Sequence, residues 1–385
     1  MNSFRLLILT PTALPTVSGN AMTAERWRRS LVGMGLDVHV LAAESLVPGE
    51  LKGEISRFNP HLIHVHNAYR AGGLLRQRAL AHAWGTLPLV VSPSGTDMNI
   101  ELRHESGREI IGTVLGRADA IIAQSQEGRE RLAEIIPGRM EKVFFVPKSF
   151  VWLGEEPAEL HGAAGAGPGD VLFFMPAGIR PVKRNLECLL GFEKVHALRP
   201  QAKIVFAGPA LHGDYADRFR KEINRRPGFA RWIPPIAPAS MRSAYASSDV
   251  VLNASFSEGL SNVLLEGKAA GRPLLAADIP GNRWPVLGDP GDAPMGILFD
   301  PRDADDFVRK GLLLIDDADL RRKLGAAGAS YASLMPGPSD EARALVAVYE
   351  AAMGRGLAAV TSGRRSRDQG RGTGDEEEVT ECLRV

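Results

Sequence analysis

The sequence predicts an α/β protein made of two doubly wound, Rossmann-like domains with a cleft between them. Short apolar runs alternate with helical patterns along most of the 385 residues, which is typical of βαβ units in a parallel sheet. The alternation stops at residues 155–170, a stretch rich in Gly, Ala and Pro, and then starts again. We therefore expect a linker at 155–170 and a ligand bound between the carboxyl ends of the strands of the two domains.

The first half of the chain contains apolar runs that we interpret as strands. They are residues 5–9, 37–41, 62–65, 89–92, 120–123 and 143–146. Residues 21–34 and 127–136 are the clearest helical patterns between them. This half is the predicted N-terminal domain, residues 1–154.

The second half repeats the pattern in the predicted C-terminal domain, residues 171–339. Its strand candidates are residues 171–175, 203–207, 230–233, 250–253, 273–276 and 297–299. A helix with core-facing apolar spacing is expected at 340–353, with a return of this helix to the first domain left open. From 354 to 385, charge blocks replace the apolar periodicity, which predicts a disordered tail.

The composition argues against several classes of protein. A net charge of +1 gives no global indication of nucleic-acid binding. Two cysteines, Cys188 and Cys382, cannot build a disulfide framework, which favours a reducing cytoplasm. Residues 25–34 and 72–84 predict basic amphipathic helices, which either pack on the core or contact a membrane surface. The predicted location is cytoplasmic, with a peripheral membrane contact left open.

The most informative stretch is SFSEGLSNVLLEGKAAGRPLLAADI, residues 255–279. It follows a predicted buried strand, and its Ser261 is a natural N-cap for a helix that Gly271 would end. The amides at such a helix start bind anions. Glu258 and Glu266 lie at this helix start, where a carboxylate accepts hydrogen bonds from hydroxyls rather than holding the anion. An anion together with hydroxyls describes a nucleotide sugar.

The same residues, with GRPLLAADIPGN after them, resemble the donor-site motif of family 4 (group 1) glycosyltransferases, which have the GT-B fold. The sequence NASFSEGLSNVLLEG most resembles that of the glycosyltransferase 1 domain-containing type. The resemblance implies that Glu258 contacts the donor sugar and that Glu266 holds the ribose. It also implies that loop amides meet the diphosphate and sugar, here those of Gly259, Leu260, Ser261 and Asn262.

The segment GIRPVKRN, residues 178–185, is the second informative site. Arg180 and Lys183 lie in a loop that leads into a helix beginning near Asn185, where two cations can clamp a diphosphate and stabilise it as it leaves. The segment resembles the family's G-R-x(n)-K-N element, with Arg184 as an extra cation. The alternative is that these are solvated surface charges.

Two loops of the first half complete the predicted site. Gly19 and Asn20 occupy the long first loop between strand and helix, which in the family approaches the donor phosphate and the acceptor; an ordinary helix-capping loop is the alternative. The segment SPSGTDMN resembles the family's H-G-x-D element on the acceptor side, with Ser94 in place of His and with Asp97 kept. Either the enzyme needs no protein base here or another residue serves, and Asp97 is alternatively a helix cap.

Neither the histidines nor the acidic triplets predict a metal site. His64 and His66 share one face of a strand, but no Asp, Glu or Cys clusters near them in the sequence. The triplets 303–305 and 317–319 begin predicted helices, where acids favour the helix dipole. We expect no metal and no cofactor.

The predicted function is therefore that of a retaining, metal-independent glycosyltransferase in which Arg180 and Lys183 stabilise the leaving diphosphate. Its expected partners are a nucleotide sugar and an acceptor, which is a glycan, a lipid-linked compound or a small molecule. Nucleic acid is not expected. A non-hydrolysing sugar-nucleotide epimerase and a non-catalytic sugar-nucleotide-binding protein are the alternatives.

Overall fold

The computed structural model describes residues 3–47 and 49–356. Within them the chain divides into two compact units, one formed by the residues up to Val151 together with those from Pro336 onward, the other by Trp152–Met335. Each unit contains one six-stranded sheet among its described residues, and all strand pairs are parallel. The predicted α/β class with two doubly wound halves is confirmed.

In the first unit, the sheet has the strand order β2-β1-β3-β4-β5-β6. Its strands are β1 (Arg5–Thr10), β2 (Asp37–Ala42), β3 (Leu62–His66), β4 (Leu89–Ser92), β5 (Ala120–Ala123) and β6 (Val143–Phe145). The helices between them are α1 (Gly19–Gly33), α2 (Glu50–Phe58), α3 (Ala81–Thr86), α4 (Gly95–Asn99), α5 (Glu105–Arg117) and α6 (Gln126–Ile135). Alternate residues of β1 enter two separate hydrophobic clusters, so both faces of this sheet are covered.

The sheet of the second unit has the strand order β12-β11-β10-β7-β8-β9. Its strands are β7 (Val171–Pro176), β8 (Ala202–Ala207), β9 (Ala230–Ile233), β10 (Val250–Asn253), β11 (Leu274–Ala277) and β12 (Gly296–Phe299). Its helices are α7 (Leu160–Ala164), α8 (Asn185–Leu198), α9 (Gly213–Asn224), α10 (Met241–Ala246), α11 (Asn262–Ala269), α12 (Pro280–Leu287), α13 (Ala304–Asp316) and α14 (Ala318–Leu334). Phe173 and Phe174 point to opposite faces, and each joins its own cluster.

The last described helix, α15 (Pro338–Met353), belongs to the first unit rather than to the one that precedes it in sequence. It packs against α1, and its Leu345 and Tyr349 are fully buried in the cluster that contains Trp27. The segment predicted as a disordered tail begins at 354, and all of it beyond residue 356 lies outside the described residues.

Two segments differ from the expectation. The predicted linker 155–170 contains α7, which is capped by the Glu159 carboxylate and whose Leu160 and Ala164 are buried in the second unit. Residues 72–84 do not form one helix, but two short 3-10 turns followed by α3. The interruption lies at Gln77, whose backbone is not helical (φ −59°, ψ 134°) between the two turns. No helix among the described residues has the length and apolar character of a membrane span.

Candidate functional site: the loops after β7 and β10

Two loops of the second unit lie side by side because their strands are neighbours. From β7 the chain proceeds to β8 and β9 on one side, whereas β10 pairs with the other edge of β7 and leads to β11 and β12. Such a switch point in a parallel sheet leaves a crevice at the carboxyl ends of the strands, where ligands bind. The backbone N–H of Phe256 donates to the carbonyl oxygen of Val182 at 2.8 Å, which joins the two loops directly.

Lys183 and Glu258, one from each loop, form an ion pair at this switch point. Lys183 Nζ lies 2.5 Å from Glu258 Oε1, and only 16% and 14% of the two side chains are exposed, so solvent screens the pair weakly. The hydroxyl of Ser255 (2.7 Å) and the amide of Asn253 (3.3 Å) donate to the same oxygen. Burial favours the neutral carboxyl, but the ammonium and these donors outweigh it and lower the pKa of Glu258 below its ordinary value.

Asn253, the last residue of β10, organises the turn that carries Glu258. Its side-chain oxygen accepts from the backbone N–H of Ser255 at 2.9 Å, and its amide donates to Ser261 Oγ at 2.8 Å. Ser261 therefore occupies the N-cap position of α11 as predicted, but its hydroxyl bonds Asn253 instead of capping the helix. Gly271, in the left-handed region at φ 68°, follows the end of α11 as predicted.

Glycine at position 281 allows α12 to pack on the same turn. A methyl group there would overlap the carbonyl oxygens of Glu258 and Gly259. The first turn of α12 therefore lies directly against the backbone between those two residues. This contact between α12 and the turn restricts the path of the loop after β10.

Glu266 lies on α11, about one turn after its first residue Asn262, and is held by a different partner. The phenol of Tyr245 donates to Glu266 Oε2 at 2.8 Å, and Tyr245 is fully buried. Burial and the neighbouring carboxylate raise the pKa of Tyr245, so the phenol stays protonated and acts as a donor. Glu258 and Glu266 are thus oriented by two separate sets of side chains.

The cations of the loop after β7 have different hydrogen-bond partners. The backbone N–H of Arg180 donates to Asn185 Oδ1 at 3.2 Å, which ties the start of the loop to the start of α8, and the Arg180 side chain is half-buried. Arg184, considered an extra cation above, donates to the carbonyl oxygen of Pro301 at 2.6 Å. Lys183 bonds Glu258, whereas Arg184 is bound to the backbone before α13.

The predicted residues of the first unit lie at the starts of its helices. Gly19 and Asn20 are the first two residues of α1, and Ser18 caps that helix by accepting from the backbone N–H of Ala21 at 3.1 Å. The Ser18 hydroxyl is also 2.5 Å from that of Thr12, across the first loop. The first loop therefore caps α1, as the alternative interpretation expected. A ligand-binding role for Gly19 and Asn20 stays a prediction.

Asp97 is a structural cap in the first unit. It accepts from the backbone N–H groups of Ser94 at 2.9 Å and Ala68 at 2.7 Å, and it forms a capping box with Ser94 at the start of α4. The Ser94 hydroxyl in turn accepts from the amide of Asn67 at 2.7 Å. Burial raises the pKa of Asp97 to about 7 even though these donors favour its ionised form. The carboxylate thus joins the loops after β3 and β4, and its acceptor-side role stays a prediction.

The residues weighed for metal binding have other partners. His64 bonds Tyr349 OH through Nδ1 (2.8 Å) and Ser92 Oγ through Nε2 (2.7 Å) in the core of the first unit. Asp303 and Asp317 accept from backbone N–H groups as the N-caps of α13 and α14. Among the described residues, no group of three or more His, Cys, Asp or Glu side chains is placed to hold a metal ion.

Sequence reasoning missed the residues that orient the two acids. Asn253 carried a signal, because a polar amide ends an otherwise apolar strand at the carboxyl edge of the sheet, where ligand sites form. Ser255 lies inside the recognised motif but had no predicted role. Tyr245 is separated from Glu266 by 21 residues and lies on another helix, so no local pattern indicates their contact.

Comparison with known proteins finds similarity to glycosyltransferases. A family model described as "Glycosyl transferases group 1" matches residues 171–317, and one described as "Glycosyl transferase 4-like domain" matches residues 47–148. The chain is 25% identical over 325 residues to Glycosyltransferase 1 domain-containing protein 1 of Xenopus tropicalis, covering 82% of this chain and 90% of that protein. It is 28% identical over 313 residues to D-inositol 3-phosphate glycosyltransferase of Streptomyces scabiei, covering 76% and 69%.

Solved structures show the same fold. Sucrose-phosphate synthase from Thermosynechococcus elongatus superposes with a TM-score of 0.73 at 16% identity, covering 92% of this chain and 100% of that one. Anabaena HepE in complex with UDP-glucose superposes with a TM-score of 0.71 at 17% identity, covering 91% and 99%. Both neighbours are GT-B proteins, so the predicted GT-B fold is confirmed.

Proposed function

We propose that the chain is a group 1 glycosyltransferase that transfers a sugar from a UDP-sugar donor to a hydroxyl group of an acceptor, with retention of configuration and without a bound metal. The observation that carries the proposal is the pairing of Lys183 with Glu258 at the switch point of the second unit. A cation for the diphosphate and a carboxylate for sugar hydroxyls meet there, beside the start of α11.

The uridine nucleotide is proposed from the structural neighbours. Anabaena HepE was crystallised with UDP and glucose and with UDP-glucose, and its fold covers most of this chain. Retention of configuration is proposed from the resemblance to the family. For the acceptor, the relatives named D-inositol 3-phosphate glycosyltransferase make a polyol phosphate the first compound to test.

In the proposed reaction, the bond between the sugar C1 and the diphosphate oxygen breaks while the acceptor hydroxyl oxygen forms a bond to C1 on the same face. The hydroxyl proton passes to an oxygen of the leaving diphosphate, so no protein base is required at Ser94. Arg180 and Lys183 stabilise the negative charge that grows on the leaving group. The amides of residues 259–262 add donors at the start of α11.

The two acids divide the recognition of the donor. Glu258, ionised because its pKa is lowered, accepts hydrogen bonds from hydroxyls of the sugar. Glu266, oriented by Tyr245, accepts from the hydroxyls of the ribose. Charge-assisted hydrogen bonds of this kind are stronger than those between neutral groups, and they orient C1 toward the acceptor.

The test is a transfer assay with UDP-glucose, UDP-galactose and UDP-N-acetylglucosamine as donors and D-inositol 3-phosphate, simple glycosides and lipid-linked saccharides as acceptors. We expect release of UDP together with a glycosylated product whose anomeric configuration, read from NMR coupling constants, matches that of the donor. A Lys183→Met variant is the control for adventitious activity. An epimerised nucleotide sugar, an inverted product or the absence of any product would contradict the proposal.

A further inference from the structure

We propose that Glu258 sets the selectivity of the donor site, weakening its affinity for the nucleoside diphosphate product relative to the nucleotide sugar, because it neutralises Lys183. This inference rests on the proposed function, since it takes the loops after β7 and β10 as the donor site. It assigns to Glu258 a task beyond contacting the sugar. The same carboxylate favours the substrate complex and promotes release of the product.

Lys183 and Glu258 are in direct contact, so a ligand that binds one of them affects the other. The ammonium contacts Glu258 Oε1 at 2.5 Å, and two further donors, Ser255 and Asn253, hold that same oxygen against the cation. Both side chains are mostly buried, which strengthens their interaction relative to a surface pair. A phosphate oxygen that binds Lys183 must therefore share the cation with Glu258 or displace it.

The charge of the two ligands decides which of them suffers more from this competition. In a nucleotide sugar the terminal phosphate is esterified, whereas in the free diphosphate it ionises a second time with a pKa of about 6. The product consequently carries up to about one more negative charge than the substrate near pH 7. The product therefore depends more strongly on the charge of Lys183, and a carboxylate that neutralises Lys183 weakens binding of the product more than binding of the substrate.

The sugar supplies the other half of the selectivity. While the sugar is present, its hydroxyls donate to Glu258 and compensate for this weakening. Once the sugar has moved to the acceptor, this compensation is lost and the carboxylate again competes for Lys183. The hydrogen bonds between the sugar hydroxyls and Glu258 thus stabilise the substrate complex and are absent from the product complex. This difference limits inhibition by the product.

Calorimetric titration of UDP and UDP-glucose into wild-type protein and three variants, Glu258→Gln, Lys183→Met and the double variant, tests the inference. We expect Glu258→Gln to bind UDP about tenfold more tightly than wild type, equivalent to about 1.4 kcal/mol, with no gain for UDP-glucose. In the Lys183→Met background the same substitution should change UDP affinity by less than about twofold, because the cation in competition has been removed. Asp316→Asn, which removes an ion-paired carboxylate elsewhere in the unit, should leave UDP affinity unchanged.

A second variant covers the case in which Glu258→Gln does not fold. Glu258→Asp keeps the charge but shortens the side chain, so it loosens the contact with Lys183, and we expect UDP to bind about threefold more tightly. Weaker or equal UDP binding by both variants would overturn the inference, as would a gain that persists in the Lys183→Met background. If wild-type protein binds neither UDP nor UDP-glucose, the proposed function itself fails, which is a distinct result.

Discussion

Glu341 of α15 and Arg26 of α1 form a buried ion pair in the first unit, although 315 residues separate them in sequence. Arg26 Nε lies 2.8 Å from Glu341 Oε2 and its Nη2 lies 3.0 Å from Oε1. Trp27 and Gln124 also donate to Oε1, at 2.8 and 3.1 Å, and Ser149 donates to Oε2. The carboxylate is thus fully satisfied while only 1% of its side chain is exposed, and it fastens the last described helix to α1.

Replacing Glu341 with Ala should lower the free energy of unfolding by about 3–5 kcal/mol, because the Arg26 charge would remain buried without its partner. Urea denaturation measures this. Glu54→Ala, which breaks an ion pair with the exposed Arg57 in the same unit, is the matched control and should cost less than about 1 kcal/mol. Equal losses in the two variants would mean that the buried pair has no special role in holding α15.

Acid should destabilise the first unit through His64. Burial, reinforced by the nearby His66, lowers the pKa of His64 to about 3, whereas an unfolded histidine binds a proton near pH 6.5. Between these values the unfolded state binds more protons than the folded state, so stability falls as the pH decreases below about 6.5.

His64→Gln should reduce the slope of unfolding free energy against pH by up to about 1.4 kcal/mol per pH unit between pH 4.5 and 6, since one proton fewer is taken up on unfolding. Urea denaturation at a series of pH values gives the slope independently of any overall loss of stability. His82→Gln, at an exposed position, should leave the slope as in wild type. An unchanged slope in His64→Gln would show that this histidine titrates alike in both states.

Tyr245→Phe should weaken UDP binding about three- to tenfold, because Glu266 loses the donor that orients it and a typical hydrogen bond contributes about 0.5–1.5 kcal/mol. The discriminating ligand is 2′,3′-dideoxyuridine diphosphate, which lacks the ribose hydroxyls. Its affinity should be the same for wild type and variant. Tyr331→Phe, which removes the phenol bonded to Asp289, is the control. A parallel loss for both nucleotides would assign Tyr245 to packing alone.

The strands could be predicted from the sequence because of how they are buried. Central strands covered on both faces appear as continuous apolar runs, so LLIL in β1 and LFFM in β7 were readily recognised. Every predicted strand lies within one residue of its observed bounds. The loops after β7 and β10 were also predicted as loops, because the glycine, the acids and the basic pair follow their strands directly.

The contacts that the sequence did not reveal depend on distant partners. Nothing near Glu341 in sequence indicates Arg26, because the pairing depends on where α15 returns in the fold. Likewise, the spacing of Glu258 and Lys183 does not show that they touch, since the switch point brings their loops together.

Sugar transfer should continue in the presence of EDTA. In the proposed mechanism, Arg180, Lys183 and the amides at the start of α11 neutralise the diphosphate, so no step requires Mg²⁺ as a Lewis acid. The assay compares initial rates with excess EDTA, with Mg²⁺ and with Mn²⁺, and we expect them to agree within about twofold. Loss of transfer on chelation that either metal restores would contradict the proposed metal-independent reaction.

The last prediction separates the two neighbouring cations of the loop after β7. Lys183→Met should lower kcat by about 10²–10³-fold, as removal of a group that stabilises charge in the transition state does. Arg184→Met removes an equal charge from the next residue, but that guanidinium is bound to the Pro301 carbonyl, so kcat should fall by less than about threefold. Steady-state rates at saturating donor, with thermal melts to confirm folding, give the comparison. Similar losses in both variants would show that kcat depends on the overall positive charge of the loop, and Lys183 would then have no specific role in the departure of the diphosphate.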